Sequence, residues 1–488
     1  MNGWQEPVDG KRIYLVTDNT KMDDLKECLR PGDLERLFIS YSESRINLGI
    51  HYYGNHLYSS NLVGICRLKT KDDENVYDSE GNELLLKVVP RFNVTVVELL
   101  NYIRDDDEFD RYMAPQTISN RHKEKSIEAI DRNEIFYFFE NEKPLKVDDG
   151  ISSENSIITV TVFLILLRLL CRRPLMGRML KDEENLTGKV KGKIVIEKNI
   201  RVNTMHGRND RFYCRYLHFT DDIIENQILK AALKKAKRFI IDYFGNFSKD
   251  NNNYSSMISY CSKALRNISE IQCNRAACSG LKFSGCYAYY KPVIAMARMV
   301  LDDISIESNG EVKTTGYIVP YAISMEKLFE VYVRAYLKKN GIYSYRGKPE
   351  HGIRLEKFDD KTDVFVEEDD LINPGKYISG SIKPDLILTD QDTGETVVFD
   401  VKYKDYTNGD SRNDRLQLLA YSMMLNADNV GIILPAQVDV EIFDARRINS
   451  METRVVKYHQ MLLGMMKNDS TVADYIKENT FGKKDLHA

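Results

Sequence analysis

Asp385, Asp400 and Lys402 lie in one stretch, KPDLILTDQDTGETVVFDVKYKDY, beginning at Lys383. Lys383 to Leu388 is a short apolar-rich run, and Asp390 to Glu395 is a turn cluster containing Thr-Gly. Thr396 to Lys404 reads as a second strand, so the pair predicts a β-hairpin. Period-two geometry sets Asp400, Lys402 and Lys404 against the apolar Phe399, Val401 and Tyr403 on the other face. Antiparallel pairing brings Asp385 and Asp400 within reach of one divalent cation. Mg²⁺ takes hard oxygens and keeps several waters, so two carboxylates and a main-chain carbonyl, with Val401 as the candidate, suffice. Mn²⁺ suits the same oxygen-rich site. Such an ion polarises a phosphodiester and lowers the pKa of a bound water, while Lys402 orients that water or offsets transition-state charge. The chemistry is metal-dependent phosphodiester hydrolysis, weighed against a structural hairpin or a degenerate core that no longer cuts.

Pro384-Asp385, fourteen intervening residues and then Asp400-x-Lys402 resembles the PD-(D/E)xK nuclease superfamily. Gln417-x-x-x-Tyr421, one helical turn apart on the element that follows, resembles the QxxxY signature of its RecB-like branch. A lone D-x-K is a weak signal; the three together are specific. Tyr321 to Lys339 (YAISMEKLFEVYVRAYLKK) has helical spacing, with Met325, Phe329, Tyr332, Val333 and Tyr336 on its apolar face. In RecB-like nucleases a glutamate on the helix before the hairpin commonly completes the metal site. The resemblance therefore implies that role for Glu330, with Glu326 one turn earlier as the other choice. A solvent-facing glutamate paired with Arg334 at i+4 is the structural alternative.

The elements around this stretch form a long, ordinary globular chain. Its 488 residues suggest about two to four domains. A hydrophobic content of 43% with 29% charged residues excludes a disordered chain. A net charge of −4 means that any nucleic-acid affinity comes from local patches. Eight scattered cysteines and no signal-peptide start fit free thiols in a reducing cytoplasm. Ile157 to Leu170 is too short to cross a bilayer and reads as buried core.

Four short runs give the front of the chain a β-rich character: Arg12 to Thr17, Arg45 to Tyr53, Leu62 to Lys69 and Glu83 to Pro90. The last two form a hairpin about the Asp78 to Asn82 turn. Helical spacing marks Val94 to Ile103, Lys123 to Asn141, Ser156 to Cys171, Asp221 to Tyr243 and Tyr287 to Leu301. Asp302 to Thr315 reads as a polar connector. Past the hairpin, Asn429 to Leu434 and Val438 to Phe443 read as strands, and Met451 to Lys467 and Val472 to Asn479 as helices. Cys261, Cys273, Cys278 and Cys286 match no common cluster spacing and read as buried thiols.

From Arg168 to Arg215 there are thirteen Lys/Arg against five Asp/Glu. Lys189, Lys191 and Lys193 alternate in GKVKGKI, which predicts one face of a strand. Arg201, Arg208, Arg211 and Arg215 follow, with Phe212, Tyr213 and Tyr216 interleaved. This pattern suits a nucleic-acid backbone, an acidic partner, an arginine presented to a nucleotide, or simply a solvated charged strand.

The order of a β-rich front, GKVKGKI, the NQILKAAL helix, the SMEKLFE helix and the KPD…FDVKYK…QLLAY core resembles the McrC family, the nuclease subunit of McrBC and LlaJI-type systems that restrict modified DNA. The resemblance spans roughly residues 60 to 480. It implies a multidomain α+β fold: a β-rich N-terminal domain over 1–110, a partner-docking helical middle with a basic β insert over 111–301, and a restriction-endonuclease-like α/β core over 316–488. It implies a McrB-like hexameric AAA+ GTPase partner whose GTP hydrolysis the subunit stimulates, modified double-stranded DNA as substrate, and no membrane. No GxxxxGK[ST] loop is present, so no nucleotide is expected on this chain itself. A stand-alone repair or resolvase-type nuclease and a non-cutting docking activator are the alternatives.

Overall fold

The computed structural model describes residues 3–103 apart from 9, 31, 38, 40–45 and 93. It further describes 116–118, 135–139, 145–146, 149–244, 253–271, 280–281, 283, 287, 289–306, 312–314, 317–318, 320–344, 353–355, 384–405, 412–436, 441–450, 454–465 and 470–481. The fold is mixed α and β. The chain divides into two compact units, one made of Met1–Lys143 with Pro320–Ala488, the other of Pro144–Val319.

The discontinuous unit holds two seven-stranded sheets. The first runs, in spatial order, Gly3–Trp4, Lys11–Thr17, Glu83–Val89, Leu62–Arg67, Tyr321–Ser324, Phe136–Phe139 and Gln116–Ile118. Leu62–Arg67 and Glu83–Val89 pair antiparallel, as the DSEGN turn predicts, while Lys11–Thr17 lies parallel to Glu83–Val89. The expected run from Arg45 to Tyr53 is strand only over His51–Tyr53, because Asn47 and Leu48 take left-handed conformations in a short helical turn. Two helix expectations also give way here. Phe136–Phe139 is a strand, and residues 123–134 lie outside the described residues. Tyr321–Ser324 is a strand as well, paired antiparallel on both sides. The helix starts at Met325, where the Ser324 side chain accepts a hydrogen bond from the Lys327 backbone N–H.

The second sheet runs Tyr343–Ser344, Ile353–Leu355, Leu386–Asp390, Thr396–Val401, Asn429–Ala436, Arg454–Gly464 and Glu441–Ser450. Every residue of Asn429–Ala436 is buried, and the strand is parallel to both neighbours, as a continuous apolar run demands. Arg454–Gly464, expected as helix, is a strand. Val456 and Tyr458 point inward and Lys457 outward, a two-residue alternation that the apolar Met461–Leu463 run obscures. Helix Arg412–Leu425 covers this sheet through Leu418 and Tyr421, which pack with Val398, Val430 and Ile432.

Buried His459 on that strand carries a pH prediction. Its Nε2 lies 2.9 Å from Asn429 Oδ1 and its Nδ1 3.0 Å from the Tyr475 hydroxyl. A neutral ring with its hydrogen on Nε2 donates to the first and accepts from the second. Burial, with the Lys457 charge adding, holds the pKa down at about 4, whereas an unfolded histidine titrates near about 6.5. The unfolded state therefore binds the proton first. Stability is full above about pH 6.5 and falls by up to about 3 kcal/mol as the pH drops toward 4. Urea midpoints across that range test this; His459→Gln should flatten the dependence, and an unchanged slope would refute it.

The second unit packs helices Asp149–Cys171, Ile224–Phe244, Asn253–Ala264 and Tyr290–Asp303 together. The apolar run beginning at Ile157 is core, as expected. Within it the Thr161 hydroxyl bonds Ile157 O at 2.7 Å and the Tyr254 hydroxyl at 2.8 Å, so its polarity is met. The expected connector from Asp302 to Thr315 instead holds a strand pair, Ile304–Ile306 with Val312–Thr314. Cys261 is buried, and Cys273, Cys278 and Cys286 lie outside the described residues. Among the described residues no helix is long and apolar enough to cross a membrane.

Candidate active site

The predicted hairpin forms from Leu386–Asp390 and Thr396–Val401, with Leu386 opposite Phe399 and Thr389 opposite Thr396. Its turn is closed by Asp390, whose carboxylate accepts from the Asp392 N–H at 2.9 Å and the Thr393 hydroxyl at 3.0 Å. Gly394 takes the left-handed conformation that this turn needs (φ 73°). Extending the register one step sets Asp385 opposite Asp400. Asp385 Oδ2 accepts a hydrogen bond of 2.8 Å from the Val401 N–H, fixing that carboxylate against the neighbouring strand.

Asp400 is 1% exposed. The Lys402 ammonium stands 2.9 Å from its Oδ2. A buried carboxylate is costly unless a cation meets it. Burial, and then the Asp400 charge, push the Asp385 carboxyl well above the usual carboxylate range. The protonated acid can thus donate to Asp400. Burial opposes the charge on Lys402, but Asp400 and Asp385 outweigh it and raise its pKa. Two adjacent carboxylates, Asp400 buried and Asp385 half-buried, fit a hard divalent ion, which would displace the shared proton on binding.

Gln417 and Tyr421 meet as their spacing predicts: Gln417 Nε2 donates to the Tyr421 hydroxyl at 2.6 Å. Burial, with Asp400 and Asp385 adding, pushes the Tyr421 phenol up to about 12, which places it in the field of the carboxylates. At the start of the same helix Asp414 accepts from the Lys404 ammonium on both carboxylate oxygens, at 2.9 and 2.8 Å.

Glu330 lies beside this group and is 9% exposed, not solvent-facing. Its carboxylate is held by Lys327 at 3.0 Å and Arg334 at 2.9 Å, and Arg334 also donates to the Asp385 main-chain oxygen at 2.7 Å. Glu330 therefore reaches Asp385 through Arg334. Among the described residues no three His, Cys, Asp or Glu side chains converge as a metal cluster. Glu326 is exposed. Lys327 was not among the sequence candidates, although the i, i+3, i+7 spacing of Lys327, Glu330 and Arg334 puts all three on one helix face.

In the other unit, the basic segment forms a three-stranded sheet from Arg178–Thr187, Arg211–Thr220 and Lys193–Ile194. Lys189 and Lys191 do not lie on a strand with Lys193. Gly188 and Gly192, both left-handed (φ 67° and 66°), turn the chain on either side of them. A Cβ at Gly192 would stand 2.5 Å from the Arg215 main-chain oxygen, so the alternation is broken by sterics. Lys191 Nζ sits 3.8 Å from the Tyr216 ring centroid. Arg215 and Lys198 both pair with Glu183 at 2.5 Å. Lys189, Lys193, Arg201 and Arg208 are exposed and Arg211 is half-buried, and none of the five forms an ion pair among the described residues. Met179, Leu217 and Phe219 are exposed on the same sheet, Met179 directly opposite Phe219.

A family model described as McrBC 5-methylcytosine restriction system component matches residues 120–435, well over half of the chain. No curated protein matches it. Among solved structures, a refined half-complex from the tetradecameric assembly of Thermococcus gammatolerans McrB AAA+ hexamers with bound McrC is similar at 15% identity. That match covers 93% of this chain and 94% of that one, with a TM-score of 0.37. The cryo-EM structure of the Thermococcus gammatolerans McrBC complex also matches at 15% identity, covering 68% and 91%, with a TM-score of 0.27.

Proposed function

The chain belongs to the McrBC 5-methylcytosine restriction system component family, and from that premise we propose that it is the DNA-cutting subunit of such a system, a magnesium-dependent endonuclease of the PD-(D/E)xK type. One observation carries the reading: Asp385 and Asp400 face each other in the buried hairpin with the Lys402 ammonium 2.9 Å from Asp400. Asp385, Asp400 and the Val401 carbonyl would hold Mg²⁺ or Mn²⁺, and Glu330 would act on them through Arg334. When bound, the ion supplies Lewis-acid polarisation of the phosphate and a water of lowered pKa. Lys402 stands where it can orient the attacking water and offset charge on the scissile phosphate. Tyr421, held by Gln417, lies in the field of the same carboxylates, and its raised pKa keeps it a donor.

The proposed partner is a McrB-like hexameric AAA+ GTPase, as McrC is bound to McrB in the Thermococcus assembly, with GTP hydrolysis stimulated by this chain. The exposed Lys189, Lys193, Arg201 and Arg208, in the same segment as the exposed apolar Met179, Leu217 and Phe219, suit such docking, and equally contacts to DNA phosphates. Modified double-stranded DNA is the proposed substrate and the cytoplasm the proposed compartment.

The test is cleavage of methylated and unmethylated plasmid with Mg²⁺, with and without the neighbouring AAA+ protein and GTP. Cutting of methylated plasmid that needs metal, partner and GTP together is expected. Cutting by the chain alone would move the assignment to a stand-alone nuclease. Stimulated GTP hydrolysis without any cutting would leave a docking activator.

A further inference from the structure

We propose that Asp18 and Arg91, from the N-terminal sheet, form a clamp that positions Lys402, an inference that rests on the nuclease reading of the hairpin. Asp18 follows the strand Lys11–Thr17, and Arg91 comes two residues after its parallel neighbour Glu83–Val89. Both therefore leave the sheet at the same end. Asp18 is fully buried, and its N–H donates to Val89 O at 2.9 Å. Its carboxylate accepts from the Arg91 N–H at 2.6 Å and lies 3.6 Å from Arg91 Nε.

So anchored, the Arg91 side chain reaches the hairpin. Its Nη2 donates to the Tyr403 main-chain oxygen at 2.7 Å, and its guanidinium lies 4.9 Å from the Phe92 centroid and 5.0 Å from that of Tyr403. Phe92 and Phe329 meet the Tyr403 ring at 5.1 and 5.9 Å. Regular pairing of the catalytic strand ends at Val401, and the Lys402 N–H donates to Ile433 O at 3.0 Å. The carbonyl held by Arg91 is the next main-chain acceptor after Lys402. The lysine is thus pinned between two fixed points, one in its own sheet and one from the front of the chain. A planar guanidinium is needed, because one group must face a carboxylate, lie against two rings and donate to a carbonyl.

Asp18 and Arg91 touch no reacting atom; they are positioning residues. The experiment compares wild type, Arg91→Met, Arg91→Lys and Asp400→Ala, each as the full chain with its GTPase partner. It measures kcat and KM for DNA, and amide hydrogen exchange with the full chain alone. Misplacement of a catalytic group by about 1 Å can cost about a hundredfold. Arg91→Met should therefore lower kcat by roughly ten- to a hundredfold with KM unchanged, and Arg91→Lys should fall between it and wild type. Exchange should quicken at Lys402 to Asp405 in Arg91→Met and stay unchanged over Val430 to Ile433.

Wild-type kcat and exchange in both Arg91 variants would overturn the clamp. So would faster exchange across both segments, which marks a general loss of packing. If Arg91→Met does not fold, Arg91→Lys is judged by the same two criteria. Absence of cleavage in wild type would remove the nuclease reading and with it the catalytic role of the clamp. A clamp failure is recognised separately, by an active wild type, an inactive Asp400→Ala and an Arg91→Met that cuts normally.

Discussion

Lys402→Ala lowers the single-turnover cleavage rate by about a hundred- to a thousandfold while leaving metal binding measurable. That is the expected result if Lys402 acts on the water and phosphate and not as a ligand, since removing one preorganised charge-stabilising group costs about 10²–10³. Asp400→Ala should abolish cleavage and metal binding together, because it removes the more deeply buried of the two carboxylates. The two variants are separated by titrating Mn²⁺ against each and then measuring cleavage at saturating metal. Near wild-type cutting by either would sink the assignment. Both should keep the partner-stimulated GTP hydrolysis, and loss of that activity as well would show that the hairpin is structural.

Gly431→Ala has the largest expected effect on stability. Gly431 lies between two parallel neighbours, opposite Phe399 on one side and His459 on the other. A methyl there would stand 2.5 Å from the His459 main-chain oxygen, 2.9 Å from the Phe399 ring and 3.0 Å from the His459 Cβ. The oxygen belongs to a paired strand and cannot withdraw without breaking the ladder. Overpacking of this kind costs roughly 3 kcal/mol. Because Phe399 precedes Asp400, cleavage should fall as well. Urea unfolding measures the first effect, and a midpoint equal to wild type would show that the strands spread without penalty.

The hairpin was legible because its signals are local: alternation, a Thr-Gly turn and charges at fixed spacing. The same holds for Gln417 with Tyr421. Other features depend on partners far away in sequence. Tyr321–Ser324 continues without a break into a strong helix, and only its two neighbours, Leu62–Arg67 and Phe136–Phe139, make it a strand. Arg454–Gly464 carries apolar residues at spacings that satisfy either period, and burial between Asn429–Ala436 and Glu441–Ser450 decides for β. Lys189 and Lys191 fall outside the strand because the glycines flanking them, Gly188 and Gly192, take left-handed turns that their alternation with lysine does not reveal. Arg91 left no local signal, since its partner Tyr403 is 312 residues away.

The unit Pro144–Val319 leaves the chain between Phe136–Phe139 and Tyr321–Ser324, which are adjacent strands of one sheet. Within that unit, the first and last short strands, Leu145–Lys146 and Tyr317–Ile318, pair with each other. A segment whose entry and exit are joined in this way can be gained, lost or exchanged by a single event at the level of the gene. The interrupted sheet would need only a short bridge to close, because its two flanking strands are already antiparallel neighbours. The N-terminal strands are thus synthesised well before the strand that completes their sheet, and on the ribosome they must wait for the whole inserted segment to emerge.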